Sequence, residues 1–396
     1  MRLNLSAMSI KKNICLYMAR NDIVSKAELL QLFELNSSAL TRLLDDLTSG
    51  NVIEECGLGQ STGGRKPILY QINAQYGYLL GLDISRTYSI LGLFNMKLEP
   101  LDFVTWTMND SMTPDRLLTL LEQAVLHFLE KHSITRDKLL GIGIGAVGPL
   151  ERTSGTIINP QYFHAPGWTN VPLRELIEQR LQLAAILDNG ANTALLGEYW
   201  HDRSNEIKHM LYVHVGIGLR SAMMSGGHLV HGAVDVEDAF GQMIIQTDGT
   251  RLQAASNYGA LEAYASIQAM EKEVRTQVKL GRNPLSQEVL PEQIDFQLLL
   301  KELYGQTPYV VQLFEQAAAY LGIGLANLIN ILHPEKIIVG GPLSHYSELF
   351  FETAVACAQR NIHHSPQYNP IFSRGQLGEK VVATGAATMV YDLLNW

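Results

Sequence analysis

The chain has 396 residues, 46% hydrophobic and 17% charged, with 30 Lys and Arg against 39 Asp and Glu. This excludes a wholly disordered or collagen-like chain, and the length suits two or three domains with ample core. A net charge of −9 gives no bulk attraction to nucleic acid or anionic lipid. Residues 1–75 nevertheless carry eight Lys and Arg against seven Asp and Glu, so the acidity sits in the rest of the chain. Ser9 to Arg20 places Ile10, Ile14, Tyr17 and Met18 at helical spacing. Ser25, with Glu28 three residues on, predicts a capping box opening a helix Lys26–Phe33. Glu34-Leu35-Asn36 reads as a short turn, and Ser37 as the cap of a helix Ser38–Thr48 striped by Leu40, Leu43, Leu44 and Leu47. Two short helices across so tight a turn match a helix-turn-helix, whose second helix presents its N-terminal residues to base edges. Ser37, Ser38, Thr41 and Arg42 are groups of the kind that read a groove. A plain helical hairpin with solvated polar faces is the alternative.

Two alternating segments follow, Val52–Glu55 and Ile68–Ile72, and predict a hairpin. Between them, Gly63 and Gly64 allow close approach of backbone to a surface, and Arg65 and Lys66 supply charge for phosphates or a narrow minor groove. This reads as the wing of a winged helix-turn-helix, with a mobile loop as the alternative. Double-stranded DNA is the predicted partner.

The body reads as α/β. Tyr78–Ile84 and Ser89–Asn95 form a strand pair, Pro114 to His132 a long helix, and Leu139–Gly145 another strand. Pro172 opens a helix through Leu181, Ala184–Leu187 is a strand ending at Asp188-Asn189-Gly190-Ala191-Asn192, and Thr193–His201 is helical. The pattern then recurs, with strands Met210–Val215 and Ser221–Met224, a helix Pro308–Leu332 and a strand Lys336–Val339. The repetition predicts two related lobes around a cleft. The expected domains are 1–75, the head; 76–200, the first lobe; and 201–396, the second. Cys15, Cys56 and Cys357 form no CxxC pair, which fits a reducing compartment. No signal peptide is read at the start of the sequence, and no stretch reaches the roughly 18 apolar residues of a membrane helix. A cytoplasmic protein without a membrane partner is expected.

At this point the sequence resembles the ROK family (repressors, open reading frames, sugar kinases), from the head to nearly the C-terminus. The resemblance is carried by Gly63–Pro67 with Gly77–Asp83, by Gly167–Leu173, by Asn189–Asn192 and by Leu261–Ser266. Gly322–Asn327 and Gly340-Gly341-Pro342 complete the set. It is closest to the regulatory branch typified by xylose and N-acetylglucosamine repressors. What it implies is an actin-like ATPase fold of the ROK sugar-kinase type, a sugar pocket, and a homodimer or homotetramer.

The resemblance also shows what has changed. The family's catalytic base is matched by Gly190, which has no side chain. The first phosphate loop reads Asp83-Ile84-Ser85-Arg86-Thr87 and the second Gly216-Ile217-Gly218-Leu219-Arg220, each with glycines or a hydroxyl replaced. Arg86 and Arg220 are read as salt-bridge residues before anion ligands. The family zinc positions are matched by Gln242, Gln253, Ala255 and Ala260, so no metal or other cofactor is expected. Family sugar contacts fall on Asn189, Gly190, Ala239, Gln242 and Glu262. Of these, Asn189, Gln242 and Glu262 can still bind hydroxyls of an effector; the alternatives are a turn residue for Asn189 and a surface charge for Glu262. The expected function is a sugar-responsive regulator, a repressor, with a catalytically dead kinase body. The alternatives are an active sugar kinase with a DNA-binding head, and a ligand-free interaction protein.

Overall fold

Two five-stranded sheets built on one plan organise the chain, which a computed structural model describes at residues 7–59, 66–203, 207–235, 239–363 and 367–394. The chain divides into two compact units, 1–203 with 380–396, and 204–379.

The first unit opens with α1 (Ala7–Arg20), β1 (Val24–Ser25), α2 (Lys26–Phe33), α3 (Ser37–Ser49), β2 (Ile53–Leu58) and β3 (Ile68–Ile72). These strands form a small sheet in the order β1-β3-β2, the β2–β3 hairpin lying beside the helix pair. The large sheet follows, from β4 (Tyr78–Ile84), β5 (Tyr88–Asn95), β6 (Pro100–Thr107), α4 (Pro114–Lys131) and β7 (Leu139–Ala146). A two-stranded β8 (Leu150–Glu151) and β9 (Thr156–Ile157), α5 (Leu173–Leu181), β10 (Ala185–Asn189) and α6 (Gly190–His201) complete the run. The order is β10-β7-β4-β5-β6, with β10, β7 and β4 parallel and the rest antiparallel. Parallel central strands are covered on both faces and so read as continuous apolar runs, as Leu79, Leu80 and Leu82 do. The strand β6 was not predicted. It is led by a proline and forms the edge of the sheet, so four of its eight residues are exposed and none is buried.

The second unit holds β11 (Met210–Val215), β12 (Leu219–Ser225), β13 (His228–Leu229), α7 (Glu262–Ala265), α8 (Ile267–Lys279), α9 (Phe296–Tyr304) and α10 (Pro308–Leu332). It continues with β14 (Lys336–Gly340), α11 (Pro342–Tyr346), α12 (Glu348–Arg360) and β15 (Ile371–Ser373). Its order, β13-β12-β11-β14-β15, repeats the first sheet: three parallel strands extended by an antiparallel pair. Val213, Val215, Ile337 and Val339 share one buried cluster there with Leu321, Leu325 and Ile329 of α10.

The last helix, α13 (Val381–Met389), returns to the first unit instead of staying with the segment that the sequence grouped as 201–396. Glycines explain its seat. A Cβ on Gly81 would stand 1.9 Å from the Ala383 carbonyl oxygen, one on Gly143 1.7 Å from that of Ala386, and one on Gly385 1.6 Å from that of Thr193. Backbone therefore touches backbone between α13, strands β4 and β7, and α6, an approach open only to glycine. No helix among the described residues is long and apolar enough to cross a membrane.

Candidate nucleic-acid interface and effector site

Local capping shapes the head. Ser25 Oγ accepts the Glu28 N–H at 3.2 Å, and Glu28 accepts the Ser25 N–H in return, the reciprocal box the sequence predicted. Glu34 takes a left-handed φ of 51° and ends α2. The cap of α3 is Asn36 and not Ser37: Asn36 Oδ1 accepts the Ala39 N–H at 2.8 Å and the Ser38 hydroxyl at 2.8 Å, so the helix starts one residue early. Asn36 holds the extended backbone that a cap requires, while Ser37 is already the first residue of the helix.

Leu40, Leu44 and Leu47 bury one face of α3, which leaves Ser37, Ser38 and Arg42 exposed on the other. Thr41 is engaged within the head: its hydroxyl donates to the Ser37 carbonyl at 2.7 Å and accepts from Lys26 Nζ at 2.6 Å. Lys66 is exposed where the chain enters β3; Gly63, Gly64 and Arg65 lie outside the described residues.

In the first unit, β4, β7 and β10 end side by side, with Ile84 level with Ala146 and Ala146 level with Asn189. Carboxyl ends of parallel strands are where ligands bind in sheets of this kind. Asp188 is buried there; its Oδ1 accepts the Asn189 N–H at 2.7 Å and Asn192 Nδ2 at 2.9 Å, with Arg152 Nη1 at 3.8 Å. Asn189 Oδ1 caps α6 by accepting the Asn192 N–H at 2.8 Å, so α6 begins at Gly190, three residues before the predicted start. A Cβ on Gly190 would meet only the Ala146 carbonyl, at 3.8 Å. Packing at the Cβ position therefore does not impose glycine there. Arg86 is occupied: its Nε donates to the Gln161 carbonyl at 2.9 Å, and the guanidinium lies 5.6 Å from the Tyr162 ring centroid.

In the second unit Gln242 and Glu262 are brought together. Gln242 Nε2 donates to Glu262 Oε2 at 3.3 Å, and Glu262 Oε1 accepts the Leu219 N–H at 3.0 Å. Gln242 also accepts the Asn257 N–H at 2.9 Å through its side chain, and Asn257 Nδ2 at 2.9 Å through its backbone. Glu262 is thus no free surface charge; it fixes the start of β12. Arg220 lies inside that strand, buried, and not in a phosphate loop as its place in the sequence suggested. The segment 243–260 is tied by backbone bonds from Ile245 to Gly259 at 2.9 Å and by the Tyr264 hydroxyl, which accepts the Thr250 N–H at 2.9 Å. Among the described residues no group of three His, Cys, Asp or Glu is placed to hold a metal ion.

The ROK family model matches residues 79–392. The chain belongs to the ROK family. It is 30% identical over 381 residues to the xylose repressor of Caldicellulosiruptor bescii, covering 95% of this chain and 94% of that protein. Identity to the Bacillus subtilis xylose repressor is 22% over 373 residues, 94% of this chain and 92% of that one. Among solved structures it is similar to a ROK family transcriptional regulator described as a homolog of the Escherichia coli MLC protein, with TM-score 0.77 at 19% identity, over 98% and 96% of the two chains. A ROK glucokinase from Streptomyces griseus in complex with glucose and AMPPNP matches at TM-score 0.65 and 24% identity, over 99% of its length but 79% of this chain. The fold is therefore the ROK fold, an actin-like body shared with sugar kinases, preceded here by the head.

One functional feature escaped the sequence. The core of the head runs on into the lobe: Ile14, Met18, Leu29 and Leu40 are buried in one cluster with Leu79, Phe94, Trp200 and Tyr391. The Tyr391 hydroxyl donates to the Met96 carbonyl, and Lys12 pairs with Asp392. Arg20 is buried at the same joint. In the sequence Arg20 looks like any basic residue in the last turn of a helix, and no local signal marks its burial.

Proposed function

We propose that this ROK protein is a DNA-binding transcriptional regulator, a repressor of sugar-metabolism genes, in which the kinase body senses a sugar and transfers no phosphate. The single observation that carries the reading is the exposed face of α3, with Ser37, Ser38 and Arg42 on the side opposite its buried leucines, in a chain aligned with repressors over nearly its whole length. Gly190 supports the loss of phosphoryl transfer, because no carboxylate stands there to accept a hydroxyl proton. Asn189 at one strand end, and Gln242 with Glu262, are the residues assigned to effector hydroxyls. The names of the relatives make D-xylose the first effector to try. The protein acts in the cytoplasm as a two-fold assembly on a palindromic site.

The test is fluorescence anisotropy on DNA from the protein's own upstream region, with and without D-xylose, beside an assay for ADP release with ATP and aldoses. Salt-sensitive binding that the sugar weakens, and no ADP, are the expected results. Sugar-dependent ADP release, or no DNA binding at low salt, would overturn the reading. Gly190→Asp is expected to fold with an unchanged melting temperature and to release no ADP, since both phosphate loops remain substituted.

A further inference from the structure

Helix α6 starts at a candidate effector residue and ends at the head. Asn189 caps its first turn. At its far end the Arg20 guanidinium of α1 stacks with its carbon 4.1 Å from the Tyr199 ring centroid, and Nη2 donates to the Asp202 carbonyl at 2.6 Å. Arg203, one residue on, pairs with Asp22, two residues past Arg20, at 3.0 Å. Trp200, in the last turn, shares the buried cluster with Ile14 and Met18 of α1. The helix between has 12 residues, about 18 Å at 1.5 Å per residue.

Two properties suit this rod to carry a displacement. It is seated on the lobe backbone to backbone, with Gly385 of α13 against Thr193 and Gly197. Close-packed interiors have low compressibility and transmit displacement. The joint at its far end is, in contrast, costly to keep. Arg20 is 8% exposed, yet its Nε is buried without a hydrogen-bond partner. A buried guanidinium with one donor unmet is a poor choice for stability alone, and an apolar side chain of similar volume would do as well or better. Such a charge suits a joint with two arrangements.

We propose that Arg20 is a positioning residue that couples the Asn189–Gly190 turn to the pose of the DNA-reading head. An occupant at the turn shifts α6 together with the α13 backbone it lies against, the carbonyl of Asp202 and the Tyr199 ring move with it, and α1 carries α2 and α3 to a new angle. This rests on the proposed reading of the chain as an effector-controlled DNA binder, and it assigns the route by which control passes. Coupling of this kind is reciprocal, so DNA must change sugar affinity by the factor by which sugar changes DNA affinity.

The experiment uses the full chain, its upstream DNA and D-xylose as the probe. In the wild type the sugar is expected to weaken DNA binding by about tenfold or more, and in Arg20→Ala by less than about threefold, a loss of coupling within the ordinary range. Sugar affinity in the absence of DNA is expected to stay within about twofold, which a general loss of structure would not allow. Arg20→Lys, which keeps charge but not the flat stacking surface, is expected to fall between and serves if the alanine variant does not fold. An unchanged sugar effect in a folded variant overturns the proposal. If D-xylose has no effect on the wild type, the effector assignment fails on its own, and a double-mutant cycle of Gly190→Asp with Arg20→Ala, read as DNA affinity, decides the route. A departure from multiplicativity of about threefold or more supports it, and independent effects overturn it.

Discussion

Helix α3 and the turn after β4 each carry an arginine, and the fold treats the two in opposite ways. Arg42 stands exposed on α3 with its helix fixed from behind by Leu40, Leu44 and Leu47. Arg86, where the family's kinases have a glycine-rich cradle, is tied down by the Gln161 carbonyl and the Tyr162 ring. A charged side chain whose donors are not spent inside its own fold can meet an outside partner without first giving up bonds. By that measure Arg42 is the readier of the two, although a sequence shows only an arginine in each place.

The largest effect to look for is on the head. Arg42→Ala is expected to weaken operator binding by about tenfold or more, the 1–3 kcal/mol of a guanidinium contact to a base or phosphate. The melting temperature should hardly move, because exposed substitutions of this kind stay within about 0.5 kcal/mol. Anisotropy titrations and a thermal scan on the same sample check both, and an unchanged Kd would break the contrast.

Next comes Ser25→Ala, which removes the capping box of α2 and should cost about 1 kcal/mol. Since the head shares one buried cluster with the lobe, the loss is expected in the unfolding of the first unit as a whole, and not as a separate early transition of residues 1–75. A two-step melt in which the variant shifts only the first step would show that the head folds alone after all. Denaturant titration followed at two wavelengths distinguishes these outcomes.

The capping box, the leucine stripe of α3 and the alternation of the hairpin were legible because each is a relation between residues a few positions apart. The repeated strand pattern was legible for the same reason, and the two sheets do share one order. What the sequence hid was long-range. The return of α13 to the first unit depends on Gly81, Gly143 and Gly385, whose role is to let distant backbones touch. The burial of Arg20 depends on Tyr199 and Asp202, some 180 positions away. At the candidate effector site the residue types were readable, but their present engagements were not: Asn189 is spent on a helix cap, and Glu262 on the Leu219 N–H. A ligand at either must share or replace those bonds.

Thr41 tests the contrast inside α3 itself. The sequence ranked it with Arg42 as a groove reader, but its hydroxyl is occupied by Ser37 and Lys26. Thr41→Val should therefore change DNA affinity by less than about threefold, and stability by about the 1 kcal/mol of one partly exposed hydrogen bond. A loss matching that of Arg42→Ala would mean the hydroxyl turns outward on DNA.

The smallest expected effect belongs to Arg86→Ala. The group gives up one hydrogen bond to a carbonyl and one exposed stacking contact, together about 1 kcal/mol or less. Its value lies in what should not change. If Arg86 held an anion at the end of β4, inorganic phosphate or ATP would raise the melting temperature of the wild type and not of the variant. The engagement of Arg86 with Gln161 and Tyr162 leads to the opposite expectation: both proteins melt at temperatures independent of phosphate, a few degrees apart at most. Phosphate protection that disappears with the side chain would return this turn to the ranks of ligand sites and erase the difference between the two arginines.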